Sequence, residues 1–178
     1  MIEIRIHGRG GQGVVTASEV LAIAGFKQGR YTQAFPNFGP ERRNAPVEAY
    51  TRIDDSFINL RTQIYRPDCL IVLDDGLLGL NITKGLKKNG IIVINTKKDV
   101  SKLKLGDFTV YKLDAMKIAL EVIGKPIVST AMTGAFGITG IISLRNIIEA
   151  IREKFPGETG EQNIVAVRRA YEECEKIR

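Results

Sequence analysis

At 178 residues the chain is long enough for a substantial core, and one domain spanning 1–178 is expected. Hydrophobic residues make up 44% and charged residues 26%, which excludes a disordered or fibrous chain. The net charge is +6, no apolar run reaches bilayer length, and no basic-then-apolar leader opens the chain, so a cytoplasmic protein with no membrane contact is expected.

The chain opens with Ile2, Ile4 and Ile6 alternating with Glu3, Arg5 and His7, the period of a strand with one apolar face. Glycines 8, 10, 11 and 13 follow, and then Val14, Ala17, Leu21 and Ala24 recur at helical spacing. This is a strand, a glycine turn and a helix, covering roughly residues 2–28. Gly8, Gly10 and Gly13 fit G-x-G-x-x-G in a Rossmann-like position. A turn without Cβ atoms lets its N–H groups approach an anion at a helix N-terminus. The competing reading is that the glycines only close the turn. A dinucleotide site also needs a ribose-binding acid after the second strand. That strand, near Tyr31–Phe35, leads into Pro36-Asn-Phe-Gly-Pro-Glu-Arg-Arg-Asn-Ala-Pro46, with no acid before Glu41. A P-loop is absent too, because no Gly-Lys-Ser/Thr follows the glycines.

A third strand is expected over Pro46–Ile53, a buried one over residues 69–73, and others over 91–94 and 108–113. Short helices are expected near 77–88 and 114–124. Residues 130–142 are dense in small side chains, with Gly134, Gly137 and Gly140 three apart. That spacing suits a helix pressed against another backbone, either inside the core or at a subunit contact. Two amphipathic helices close the chain, one over Leu144–Phe155 and one carrying Ile164, Val167, Tyr171 and Cys174. The pattern predicts an α/β fold, a mostly parallel sheet flanked by helices with a helical C-terminal third.

Two cysteines and one histidine cannot build a four-cysteine iron–sulfur site or an all-thiolate zinc site. Cys69 and Cys174 both read as core thiols in a reducing compartment. His7 reads as a strand residue on the polar face, not a catalytic one. Asp74 and Asp75 read as helix caps sooner than metal ligands. Lys84, Lys87, Lys88, Lys97, Lys98, Lys102 and Lys104 crowd one region. They suit a solvated face first, an acidic protein next, and nucleic acid last, since no aromatic residues interleave them.

Several segments occur together in one order: Gly8-Arg-Gly-Gly-Gln-Gly-Val14, Phe38-Gly-Pro-Glu-Arg-Arg-Asn-Ala-Pro-Val47, Leu113-Asp-Ala, Gly124-Lys-Pro126 and Ala131-Met-Thr-Gly-Ala135. Across almost the whole chain they resemble the gamma subunit of pyruvate (2-oxoacid):ferredoxin oxidoreductase, or pyruvate synthase. Asn44 stands where that family usually has glycine, and Ser129 where it commonly has asparagine. The resemblance implies oxidative decarboxylation of a 2-oxoacid with coenzyme A, giving acyl-CoA and CO2 and reducing ferredoxin. It also implies thiamine diphosphate, Mg and iron–sulfur clusters on alpha-, beta- and delta-type partner subunits. This chain lacks the Gly-Asp-Gly thiamine signature, so neither a catalytic residue nor a metal site is expected on it. Coenzyme A is the phosphate-bearing substrate. The candidates to meet its phosphates are Gly8, Arg9, Gly10, Gly11, Gln12 and Gly13, with Arg42 and Arg43 on the loop after the second strand. Arginine's planar fork suits phosphate, and equally the acids of a partner subunit. A free-standing Rossmann-like nucleotide-binding protein is the alternative.

Overall fold

The computed structural model describes residues 1–37, 44–100 and 105–177. A seven-stranded mixed sheet runs β2-β3-β1-β4-β5-β6-β7. Its strands are β1 (Ile2–Arg9), β2 (Tyr31–Pro36), β3 (Pro46–Asp54), β4 (Cys69–Val72), β5 (Ile91–Asn95), β6 (Thr109–Leu113) and β7 (Glu175–Lys176). β1, β4, β5 and β6 form a parallel centre, while β3 and β7 run antiparallel to it. β2 pairs antiparallel with β3, so β1 and β2 end at the same edge of the sheet.

Alternation along the strands sorts two cores. Ile4, Ile6, Cys69, Ile71 and Val93 face one side; Leu70, Val72, Ile92 and Ile94 face the other. The first side is covered by helices α1 (Val14–Lys27), α3 (Ser129–Gly137), α4 (Leu144–Lys154) and α5 (Glu158–Glu173). The second is covered by Leu77, Ile82, Val100 and Leu105, from a 3-10 helix and loops.

The first strand alternates as expected, with His7 on its polar face. That face is covered as well: Arg5 and His7 are buried, as is Arg52 on β3. An irregular cover leaves backbone carbonyls without ladder partners, and buried carbonyls need donors. Arg52 donates to the carbonyl of Thr62, and Arg5 to those of Ile82 and Lys84. Arg52 also pairs with Glu3 at 3.0 Å and lies over the Phe35 ring. Guanidinium groups therefore fasten the cover to the sheet.

Other boundaries also shift. The helix expected near 77–88 is a 3-10 helix, Asp75–Leu80, followed by turns. The one expected near 114–124 is a short α2 (Ala115–Ile118) continued by a π-type turn, Ala119–Ile123. β7 is an addition, and it takes up the chain just after Cys174, which caps α5 and is buried. α3 ends at Gly137, and all nine of its residues are buried. A Cβ on Gly134 would fall on the Val167 carbonyl oxygen of α5. The small-residue segment is thus an internal helix packed on its own chain. Burial pushes the thiols of Cys69 and Cys174 up to about 12, which suits inert core side chains.

Candidate functional site: a cavity at the glycine turn

The strand-to-helix turn brings β1 into α1 through Gly8–Gly13. Gly8 lies behind the turn, where a Cβ would meet Val14 Cγ2 at 2.5 Å. Gly11 and Gly13 adopt left-handed backbone, with φ of 94° and 82°. Gly13 is the N-cap of α1, and no side chain caps the helix or places an acid in its first turn. Its uncapped amides therefore keep their attraction for anions.

The side chain of Gln12 folds back under the turn. Its Oε1 accepts from Arg9 N at 2.8 Å, and its Nε2 donates to Asp74 at 3.3 Å. Arg9 Nε donates to Asp74 at 2.9 Å and its Nη1 to the Asn44 carbonyl at 3.2 Å. Asp74 also accepts from Gly76 N, capping the 3-10 helix as expected. Arg9 is thus a clamp whose charge is already countered by an acid. Asn44 takes φ 67°, the left-handed turn that an asparagine tolerates where glycine is usual. Gly10 N donates to the Ala45 carbonyl, so the loop that returns to β3 lies against the glycine turn. Arg42 and Arg43, with Glu41, fall outside the described residues.

A cavity of about 530 Å³ opens at this turn. Arg9, Gly10, Gly11 and Gly13 line it with the first turn of α1; Gly8 and Gln12 do not. The far wall is the start of α3, with Ser129 and Thr130, and Lys125 beside it. α3 also begins without a side-chain cap or an acid in its first turn. Two helix N-termini thus converge on one cavity, each with partial positive charge. Close approach depends on Gly13, since a Cβ there would meet Ser129 Oγ at 2.5 Å. The Ser129 hydroxyl is buried and finds no hydrogen-bond partner among the described residues, which a buried polar group rarely tolerates. α5 closes the cavity, where Asn163 accepts from Thr130 at 2.7 Å and donates to the Thr159 carbonyl at 2.8 Å. Ser129 and Lys125 were missed as site residues. Lys125 belongs to a segment that carried the resemblance and Ser129 is a departure from it, but only the tertiary fold sets them opposite the glycine turn.

His7 does not reach this cavity. It is buried beneath β1, bonded to Arg5, and burial holds its ring well below the usual range, at about 4. Among the described residues, no three His, Cys, Asp or Glu side chains gather to hold a metal ion. No helix among them is long and apolar enough to cross a membrane. In the lysine-rich region Lys87 pairs with Asp68 at 2.9 Å and Lys98 with Asp75 at 3.0 Å, so part of that charge is spent within the chain.

The sequence pattern of the pyruvate ferredoxin/flavodoxin oxidoreductase family matches residues 3–173. The chain belongs to this family. Among its relatives, pyruvate synthase subunit PorC of Methanothermobacter thermautotrophicus is 54% identical, over 100% of this chain and 98% of that one. The common gamma subunit of the pyruvate/ketoisovalerate oxidoreductases of Pyrococcus furiosus is 51% identical, covering 98% of each chain. The crystal structure of pyruvate oxidoreductase subunit PORC from Thermotoga maritima superposes with a TM-score of 0.88 at 39% identity, over 99% of this chain and 98% of that one. These oxidoreductase relatives are named as subunits of larger enzymes. Membership along the full length favours that reading over a free-standing nucleotide-binding protein.

Proposed function

We propose that the chain is the gamma subunit of a cytoplasmic 2-oxoacid:ferredoxin oxidoreductase, and that its glycine-turn cavity holds phosphates of coenzyme A. The reaction joins a 2-oxoacid to coenzyme A with loss of CO2 and passes electrons to ferredoxin. Thiamine diphosphate, Mg and the iron–sulfur clusters belong to alpha-, beta- and delta-type partners. This chain contributes assembly and the entry of coenzyme A.

The observation that supports the cavity reading is the meeting of two uncapped helix N-termini over a buried serine hydroxyl that has no partner among the described residues. Anions suit such a place. The cavity's size lies within the range of small-molecule sites, ample for the diphosphate end of a longer ligand. Gly10, Gly11 and Gly13 let phosphate oxygens approach the backbone, and Lys125 adds a mobile positive charge. Arg9 contributes less than its position in the motif suggests, because Asp74 already holds it. Gly8 and Gln12 shape the turn from behind. Arg42 and Arg43 belong to the loop whose two ends, Pro36 and Pro46, lie at the same sheet edge, and they remain candidates for a second phosphate or for acids of a partner.

The test is steady-state kinetics of the assembled complex carrying Lys125→Ala. Losing a charge-assisted contact costs roughly 1.5–3 kcal/mol, about tenfold to a hundredfold in affinity. The KM for coenzyme A should rise by that factor, while the KM for the 2-oxoacid stays put. A phosphate-free pantetheine substrate should be insensitive. An unchanged KM for coenzyme A in an intact complex would refute the cavity reading.

A further inference from the structure

On the face of β1 turned away from the helices, four side chains lie in one row of polar contacts, with a hydrogen bond at each end and an ion-pair distance between His7 and Glu48. Arg5 Nε–H donates to His7 Nε2 at 3.0 Å. His7 Nδ1 lies 3.4 Å from Glu48 Oε1, and Tyr50 Oη donates to Glu48 Oε2 at 2.8 Å. Arg5 and His7 are less than one-tenth exposed. Arg5 also donates to backbone carbonyls, Ile82 at 2.7 Å, Lys84 at 2.8 Å and Ile64 at 3.5 Å. Among the described residues, the buried guanidinium thus meets an acid through the imidazole.

The chemistry fixes the state of the ring. An arginine can only donate, so Nε2 must accept and carries no proton. The proton of the neutral ring is then on Nδ1, facing the carboxylate. A protonated ring would set a second cation against Arg5. Burial and the Arg5 charge both oppose protonation, and Glu48 only partly offsets them.

The place of this row matters as much as its chemistry. His7 and Glu48 face each other across the β1–β3 ladder, and Arg5 faces Tyr50. The next rungs are Gly8 with Val47 and Arg9 with Pro46. The glycine turn leaves from one strand there, and the loop against it enters the other. Val47 lines the coenzyme A cavity and also a second cavity of about 1080 Å³, which Arg5, His7 and Glu48 border. This row of polar contacts therefore sits one rung behind the cavity wall.

We propose that His7 is a positioning residue: as the neutral, Nδ1-protonated ring it spaces Arg5 from Glu48, and this spacing sets the separation of the glycine turn from the β3 entry that the ligand requires. The inference rests on the reading of the glycine-turn cavity as the coenzyme A site. A side chain that fills the volume without both polar contacts leaves Arg5 and Glu48 free to draw together, moving Val47 with Glu48. Glutamine offers one acceptor and one donor, as the imidazole does.

The experiment compares His7→Leu, His7→Gln and Lys125→Ala in the assembled complex, with 15N NMR of the unaltered full chain. Its single histidine makes the imidazole signals unambiguous. The expected result is a KM for coenzyme A raised about tenfold in His7→Leu and restored in His7→Gln, with kcat and the 2-oxoacid KM little changed. The 15N spectrum at pH 6 should show a protonated Nδ1 and a bare Nε2. If Lys125→Ala raises the KM but His7→Leu does not, or if glutamine fails to restore it, His7 is a packing residue and the inference falls alone. If Lys125→Ala changes nothing, the cavity reading falls and takes this inference with it. Should His7→Leu not fold, an Nε2-protonated or cationic ring in the unaltered chain still overturns the proposal.

Discussion

Gly134→Ala should destabilise the chain although alanine is the better helix former. Gly134 sits in α3, where that helix crosses α5. An added Cβ would lie 2.8 Å from Val167 Cα and nearer still to the Val167 carbonyl oxygen. Carbon atoms rest at about 3.5–4.0 Å, so the two helices must part by about 1 Å. The obstacle is backbone, which cannot turn aside as a flexible side chain does. Overpacking of this kind costs roughly 1–3 kcal/mol, and contact with a helix backbone argues for the upper end. Alanine returns about 1 kcal/mol through helix propensity. The net loss is about 2 kcal/mol. In a chain of 178 residues that lowers Tm by about 4–8 °C. Calorimetry of the full chain measures it, with Gly79→Ala as control. An added Cβ on Gly79 meets nothing within 4 Å, so its Tm should hardly move. An unchanged or higher Tm for Gly134→Ala would refute the internal contact and reopen the subunit-contact reading of the small-residue segment.

Two further outcomes follow from the same geometry. Gly13→Ala places a Cβ against Ser129 Oγ and holds a non-glycine residue at φ 82°, so it should cost about 1–2 kcal/mol from backbone strain alone and raise the KM for coenzyme A; a variant with parental Tm and KM contradicts this. His7 supplies a pH dependence. Its folded-state pKa, about 4, lies below the ordinary 6.5, so the unfolded chain binds more protons between those values. Its contribution is complete above pH 6.5 and is lost as pH falls towards 4, a change of about 3 kcal/mol in total. Urea unfolding from pH 7 to 4 should show this slope, and His7→Gln should flatten it; equal slopes in both chains would contradict the buried neutral ring.

Much of the architecture was legible because burial and period agree. The run 69–72 is apolar on both sides since β4 lies in the middle of the sheet between two cores. The alternation in β1 was legible too, but its meaning was not. The sequence puts Arg5 and His7 on the polar face and says nothing of what covers it; the tertiary cover, whose carbonyls Arg5 satisfies, buries them. The helix near 77–88 shortened because Asp74 caps a 3-10 turn and Asn81 then takes left-handed backbone. At the candidate site, the glycine turn was visible as a motif. Ser129 and Lys125, more than a hundred residues later in sequence, were not, because nothing local announces which helix N-terminus will face which. Arg9 shows a related limit. Its place in the motif suggests a phosphate ligand, while its partner Asp74 enters only through the β1–β4 pairing.

The most direct test of the account is a structure of the assembled complex with coenzyme A bound. The account predicts phosphate oxygens within hydrogen-bond reach of the amides at the start of α1, with the Ser129 hydroxyl and Lys125 turned towards them. Phosphates seated elsewhere in an ordered complex, with this cavity free of ligand, would contradict it.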